Sequence, residues 1–110
     1  MIIFADDLGY GDIGGFGQTP LQYSTPHLDR MADEGVRLTH CYVTVPYCAP
    51  SRASLLTGRY HFRHGVVVNP SPDAGKNDTG LADDEITIAE ALKETGYATT
   101  CIGKWHLGHT

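Results

Sequence analysis

Apolar positions along the chain fall into two patterns, short continuous runs and stripes at helical spacing. Met1-Ile2-Ile3-Phe4-Ala5 is a continuous run, which suits a strand buried on both faces, as in a parallel sheet. It stops at Asp6-Asp7, and the stretch from Leu8 to Gly17 has the glycine content of a loop. Thr25-Pro26 then predicts a helix start, with Thr25 as cap and Pro26 at the first helical position. Leu28, Met31 and Ala32 share one face of that helix, and Gly35 ends it. Val36 to Val43 reads as a strand, with Val36, Leu38, His40 and Tyr42 on one side. Pro46 and Pro50 bracket Cys48 in a predicted loop, followed by a helix over Ser51–Thr57 that Gly58 terminates. From Asn69 to Gly80 the composition is that of an exposed loop. Thr87 and Glu90 form a capping-box pattern ahead of the stripe Ile88, Ala91 and Leu92, and Gly96 closes this helix. Tyr97–Ile102 reads as a last strand, running into the glycine-flanked loop Gly103–Gly108.

Strands alternating with helices predict an α/β fold, a mostly parallel sheet with flanking helices. In such sheets ligands bind beyond the C-terminal ends of the strands. Asp6-Asp7 and Lys104-Trp105-His106 both fall at such ends, and Cys48 falls a few residues past a third.

Composition narrows the function classes. A chain of 110 residues allows one domain at most. Its net charge of −5 argues against a basic nucleic-acid-binding surface. No apolar run reaches the ~18 residues a membrane span requires, and no basic start with an apolar stretch marks a signal peptide. Three cysteines, Cys41, Cys48 and Cys101, cannot all pair within one chain, and their spacing is not that of a zinc site. His61, His64 and His109 carry no assigned role and are expected at the surface or a substrate rim.

Two places carry chemistry. Asp6-Asp7 offers adjacent carboxylates, either a polar turn or hard oxygen ligands suited to Ca²⁺ or Mg²⁺. A divalent cation relieves the repulsion between two such neighbours. Cys48 precedes a helix that has Arg52 in its first turn, an electropositive setting in which reactive cysteines occur.

The stretch Cys48-Ala49-Pro50-Ser51-Arg52-Ala53-Ser54-Leu55-Leu56-Thr57-Gly58-Arg59 resembles the first signature of the sulfatase family at all eight of its fixed positions. Gly96-Tyr97-Ala98-Thr99-Thr100-Cys101-Ile102-Gly103-Lys104-Trp105-His106 resembles the second. Asp6-Asp7-Leu8-Gly9-Tyr10-Gly11-Asp12 resembles the family's metal-binding opening. The resemblance extends from Ile2 to Gly108 and implies the N-terminal part of an alkaline-phosphatase-like sulfatase domain, incomplete over residues 1–110.

The resemblance implies specific roles. Cys48 matches the cysteine that a separate formylglycine-generating enzyme oxidises to an aldehyde, reading Pro50 and Arg52. One hydroxyl of the hydrated aldehyde attacks sulfur and the alcohol leaves; the second hydroxyl then drives sulfate out and restores the aldehyde, which divides one hard step into two. Asp6, Asp7 and the converted Cys48 would ligate Ca²⁺, less often Mg²⁺. Arg52 would anchor the carboxylates and the diol, Lys104 would bind a sulfate oxygen, and His106 would hydrogen-bond the diol or the sulfate. Thr57 and Arg59 are read as structural.

The expected function is sulfuric ester hydrolysis on a sulfated polysaccharide, a glycosaminoglycan, an aryl sulfate or choline sulfate. The 110 residues alone are expected to be weakly active or inactive, since further metal and sulfate ligands of the family lie in later segments. An inactive truncated remnant that binds metal or a sulfated ligand is the alternative. A phosphate-ester hydrolase of related fold is a third reading, against which Cys48 and the lack of a His-rich pattern near Asp6 argue. The family implies a periplasmic, secreted or lysosomal setting.

Overall fold

The computed structural model describes residues 1–16, 24–70 and 80–108, in two compact units that divide after Cys41. Gly17 and most of the predicted loop from Asn69 to Gly80 lie outside the described residues, as does His109.

In the first unit a 3-10 turn spans Tyr10–Asp12 and helix α1 spans Pro26–Glu34, between Thr25 and Gly35 as the sequence predicts. Thr25 does not cap through its side chain. Its hydroxyl instead accepts from the Gly14 N–H at 3.0 Å and donates to Asp29 Oδ1 at 2.8 Å. Asp29, in the first turn of α1, also accepts from the Gly15 N–H at 2.9 Å. An acidic group there is favoured by the helix dipole, and here it also fastens the glycine loop. A Cβ on Gly14 would stand 2.7 Å from Asp29 Oδ2, so a larger residue would have to displace that carboxylate.

The second unit is built around helix α2, Cys48–Thr57, with the short α3, His61–His64, and α4, Ile88–Glu94. Ala49, Ala53, Val66 and Leu107 are its buried apolar core, with Leu56 and Leu81 packed against it. Two alanines one turn apart let the 66 and 107 segments approach the α2 backbone closely. Gly58 stops α2 with φ 67°, its N–H donating to Ser54 O. The Thr87–Glu90 capping box forms as predicted: Glu90 N–H donates to Thr87 Oγ1, and Thr87 N–H to Glu90 Oε2. At the other end Gly96 (φ 91°) donates to Lys93 O and Tyr97 to Leu92 O, a paired closure that satisfies two terminal carbonyls. Leu81 N–H donates to Leu107 O at 3.0 Å, and a Cβ on Gly80 would meet that oxygen at 2.7 Å. This pins the loop that carries Lys104.

Two expectations change. Helix α2 begins at Cys48, not Ser51, so the cysteine is the first helical residue and Pro50 lies inside the first turn. Proline is tolerated there because the first N–H groups of a helix have no intrahelical acceptor. The predicted strands, residues 1–5, 36–43 and 97–102, form no ladder among the described residues, which hold helices and no strand. Their side chains face water: Val36 is 84% exposed and Ile102 92%. A parallel ladder joins segments distant in sequence, and an apolar run encodes burial without naming its partner.

Candidate functional site around the first turn of helix α2

Cys48 is half-buried, with Tyr47 as the helix N-cap. Tyr47 supplies no side-chain cap. Asn69, twenty-one positions after Cys48, does so in its place, its Oδ1 accepting from the Ala49 N–H at 2.9 Å. Substitution of a cap of this kind by alanine costs about 1 kcal/mol. Asn69 was not identifiable from sequence, where it reads as the first residue of a polar loop.

Lys104 Nζ donates to Cys48 Sγ at 3.3 Å. Arg52 lies one helical turn after Cys48 and on the same side, and its guanidinium donates to the Lys104 carbonyl at 2.8 Å. The two signature segments therefore meet: α2 supplies the sulfur, and the 103–108 loop supplies the ammonium. Pro50 has no N–H and Asn69 takes that of Ala49, so side chains, Lys104 foremost, carry the positive charge facing position 48. The site can thus hold an anion against the atom at position 48 and stabilise negative charge that develops there.

The loop is shaped by glycines with positive φ at Gly103 and Gly108, both 105°. His106 also has positive φ, 59°, a conformation uncommon outside glycine. Its ring is half-buried, and Nδ1 is enclosed without a hydrogen-bond partner among the described residues. A buried polar atom is ordinarily paired with protein, water or a bound group.

Asp6 and Asp7 belong to the first unit and are exposed. Asp7 has φ 55°, so both Asp7 and His106, each in a predicted site segment, hold a strained backbone. The carboxylates are hard donors of the type Ca²⁺ takes. Yet no group of three or more His, Cys, Asp or Glu side chains gathers among the described residues. Two carboxylates fall short of the roughly six to eight oxygens of a Ca²⁺ shell, so these residues do not complete a metal centre.

Thr57 and Arg59 have structural contacts: Thr57 Oγ1 donates to Ala53 O at 2.8 Å, and Arg59 pairs with Glu85. That pair borders an open groove of about 580 Å³ between α2 and α4, lined by Leu55, Leu56, Ile88 and Ala91 among others. The groove includes none of the predicted site residues. His64, expected at the surface or a rim, is buried and bonded to Ser54 on α2.

Comparison with known proteins decides the family. The profile described as Sulfatase matches residues 1–110. This chain belongs to the sulfatase family. It is 49% identical to mouse steryl-sulfatase and 50% identical to bovine arylsulfatase A, over 98% of its own length in each case. It spans about a fifth of these relatives, 18% and 20% of their lengths. The crystal structure of Ps i-CgsB superposes on 98% of the chain with a TM-score of 0.90 at 40% identity, the match covering 23% of that protein. A second structure of Ps i-CgsB, in complex with k-i-k-neocarrahexaose, matches 96% of the chain with a TM-score of 0.87 at 38% identity. Among the described residues no helix is long and apolar enough to cross a membrane.

Proposed function

We propose that the chain carries the nucleophile-bearing, N-terminal part of a sulfuric ester hydrolase that works through a formylglycine made from Cys48. The observation that carries this reading is the Lys104 Nζ–Cys48 Sγ contact at 3.3 Å. It sets a cation beside the side-chain position of residue 48, where a hydroxyl of the hydrated formylglycine would stand to attack sulfur. Formylglycine, formed by a separate maturing enzyme, supplies a geminal hydroxyl pair able to attack and then release sulfate.

The chain's own residues act around that position. Lys104 neutralises a sulfate oxygen as the S–O bond to the alcohol breaks. Arg52 holds the Lys104 main chain, so its ammonium arrives already placed. Asn69 fixes the first turn of α2 through Ala49, and with it the direction in which residue 48 points. His106 offers its enclosed Nδ1 to the diol or the sulfate. Asp6 and Asp7 would contribute carboxylates to a Ca²⁺ that further ligands complete.

The proposed substrate is a sulfate ester on a carbohydrate, in line with the oligosaccharide held by a similar structure. The names of the similar steryl-sulfatase and arylsulfatase A supply a second reading, a sulfate on a ring alcohol or phenol. The proposed setting is periplasmic, secreted or lysosomal.

Release of inorganic sulfate from sulfated oligosaccharides and from 4-nitrophenyl sulfate, by the protein isolated from its source, tests the reading. Removing the nucleophile by Cys48→Ala is expected to abolish release. Lys104→Ala is expected to lower kcat about 10²- to 10³-fold, the scale for one lost charge-stabilising donor. Undiminished release by Cys48→Ala would overturn it.

A further inference from the structure

His64 is 6% exposed, although it ends a four-residue helix whose other members are half-buried or exposed. Both ring nitrogens are engaged. The Val66 N–H donates to Nδ1 at 3.3 Å, and Ser54 Oγ lies 3.0 Å from Nε2. A nitrogen that accepts carries no proton, so the hydrogen-bond network puts the proton on Nε2, which donates to Ser54 Oγ. Only the neutral ring can make both bonds in this way. An imidazolium would turn an Nδ1–H against the Val66 N–H, donor against donor.

The partners matter for the site. Ser54 is on α2, about 9 Å along the axis from Cys48 at 1.5 Å per residue. Val66 packs with Ala49, Ala53 and Leu107, and Leu107 belongs to the loop that carries Lys104 and His106. The ring therefore ties α2 to the turn at Gly65, through residues that share a core with that loop.

We propose that His64 is a positioning residue: as the neutral Nε2–H tautomer it locks helix α2 to the Gly65–Val66 turn, keeping Cys48 in register with Lys104, and protonation in acid releases the lock. Burial pushes the His64 pKa below the ordinary 6.5; the charges of His61 and Arg59 act in the same direction, and Glu85 opposes them. Since the folded state disfavours the proton, the lock is complete above pH 6.5 and is lost as the pH falls through the lower folded value. The lock itself does not require sulfate chemistry; its effect on turnover rests on the function proposed above.

The test is long-range ¹H–¹⁵N NMR of the full chain labelled in histidine, followed by amide exchange across residues 48–54. We expect one neutral form with the proton on Nε2 and a titration midpoint below 6.5. We expect exchange across α2, corrected for the intrinsic rate, to rise about tenfold as His64 titrates, in line with the loss of a buried hydrogen bond. His64→Gln offers an acceptor and a donor without titrating, and its α2 exchange is expected to stay flat over the same range. The proposal is overturned by a proton on Nδ1, by a midpoint at or above 6.5, or by the same rise in His64→Gln. If that variant does not fold, the wild-type tautomer and midpoint decide alone. Absent sulfate release with the lock intact would count against the proposed function and not against His64.

Discussion

Lys104 is far from Cys48 in sequence, and its ammonium reaches the sulfur because Arg52 grips its carbonyl at 2.8 Å. Arginine does this with a rigid planar fork, and lysine at the same place would present a single flexible point charge. Arg52→Lys is therefore expected to lower kcat for sulfate release by about 10- to 100-fold, the equivalent of one charge-assisted hydrogen bond. Steady-state kinetics on 4-nitrophenyl sulfate measure it; an unchanged kcat would separate Arg52 from the placement of Lys104. The residues that meet at this site were legible as motifs, since Cys48, Arg52 and Lys104 hold fixed positions within two short segments. Asn69 and His64 were not. Asn69 bonds to distant Ala49, and His64 bridges Ser54 and Val66; none of these bonds leaves a periodic or compositional trace. Asn69→Ala is expected to cost about 1 kcal/mol of stability in denaturant unfolding, with no change of charge at the site.

Helix boundaries were readable where a local device sets them. Thr87 with Glu90 and Gly96 with Tyr97 close α4 at both ends through contacts within a few residues. Thr87→Ala is expected to destabilise the unit by about 1 kcal/mol. Gly96→Ala forces a Cβ into positive φ at a cost of about 1–2 kcal/mol. Chemical denaturation of the two variants checks both values. The Glu90 carboxyl is held below its ordinary 4.5 by hydrogen bonds from Thr87 backbone and side chain. Its folded pKa is depressed, so the cap's contribution is full above pH 4.5 and is lost as the pH falls through the folded value. Glu90→Gln, which does not titrate, should accordingly flatten the acid limb of the stability–pH curve, whereas Thr87→Ala keeps the backbone bond and flattens it only in part. The start of α2 was misjudged because proline at residue 50 suggested a loop, while position decides: three residues into a helix, its missing N–H costs nothing. The expected strands form no ladder among the described residues. Val36, Leu38 and Ile102 show the apolar pattern of a buried strand and stand largely exposed.

At the scale of the molecule, the second unit gathers its order around α2, where four buried apolar residues join three segments. Amide exchange is expected to reflect this. Amides in residues 50–57 should exchange slowly, and those in 36–43 and 97–102 at rates close to an open chain. Strong protection in 97–102 would contradict this and show ladder bonds there. Helix α2 and the Lys104 loop, which carry the two signatures, lie in one unit of a chain that spans about a fifth of its relatives. The central claim is that Cys48 is the precursor of the nucleophile, and the mass of the Cys48 peptide, from protein isolated from its source, tests it most directly. Conversion to formylglycine lowers that mass by about 18 Da, and the account predicts this deficit together with sulfate release. A peptide at the unmodified cysteine mass, in protein that still releases sulfate, would contradict it.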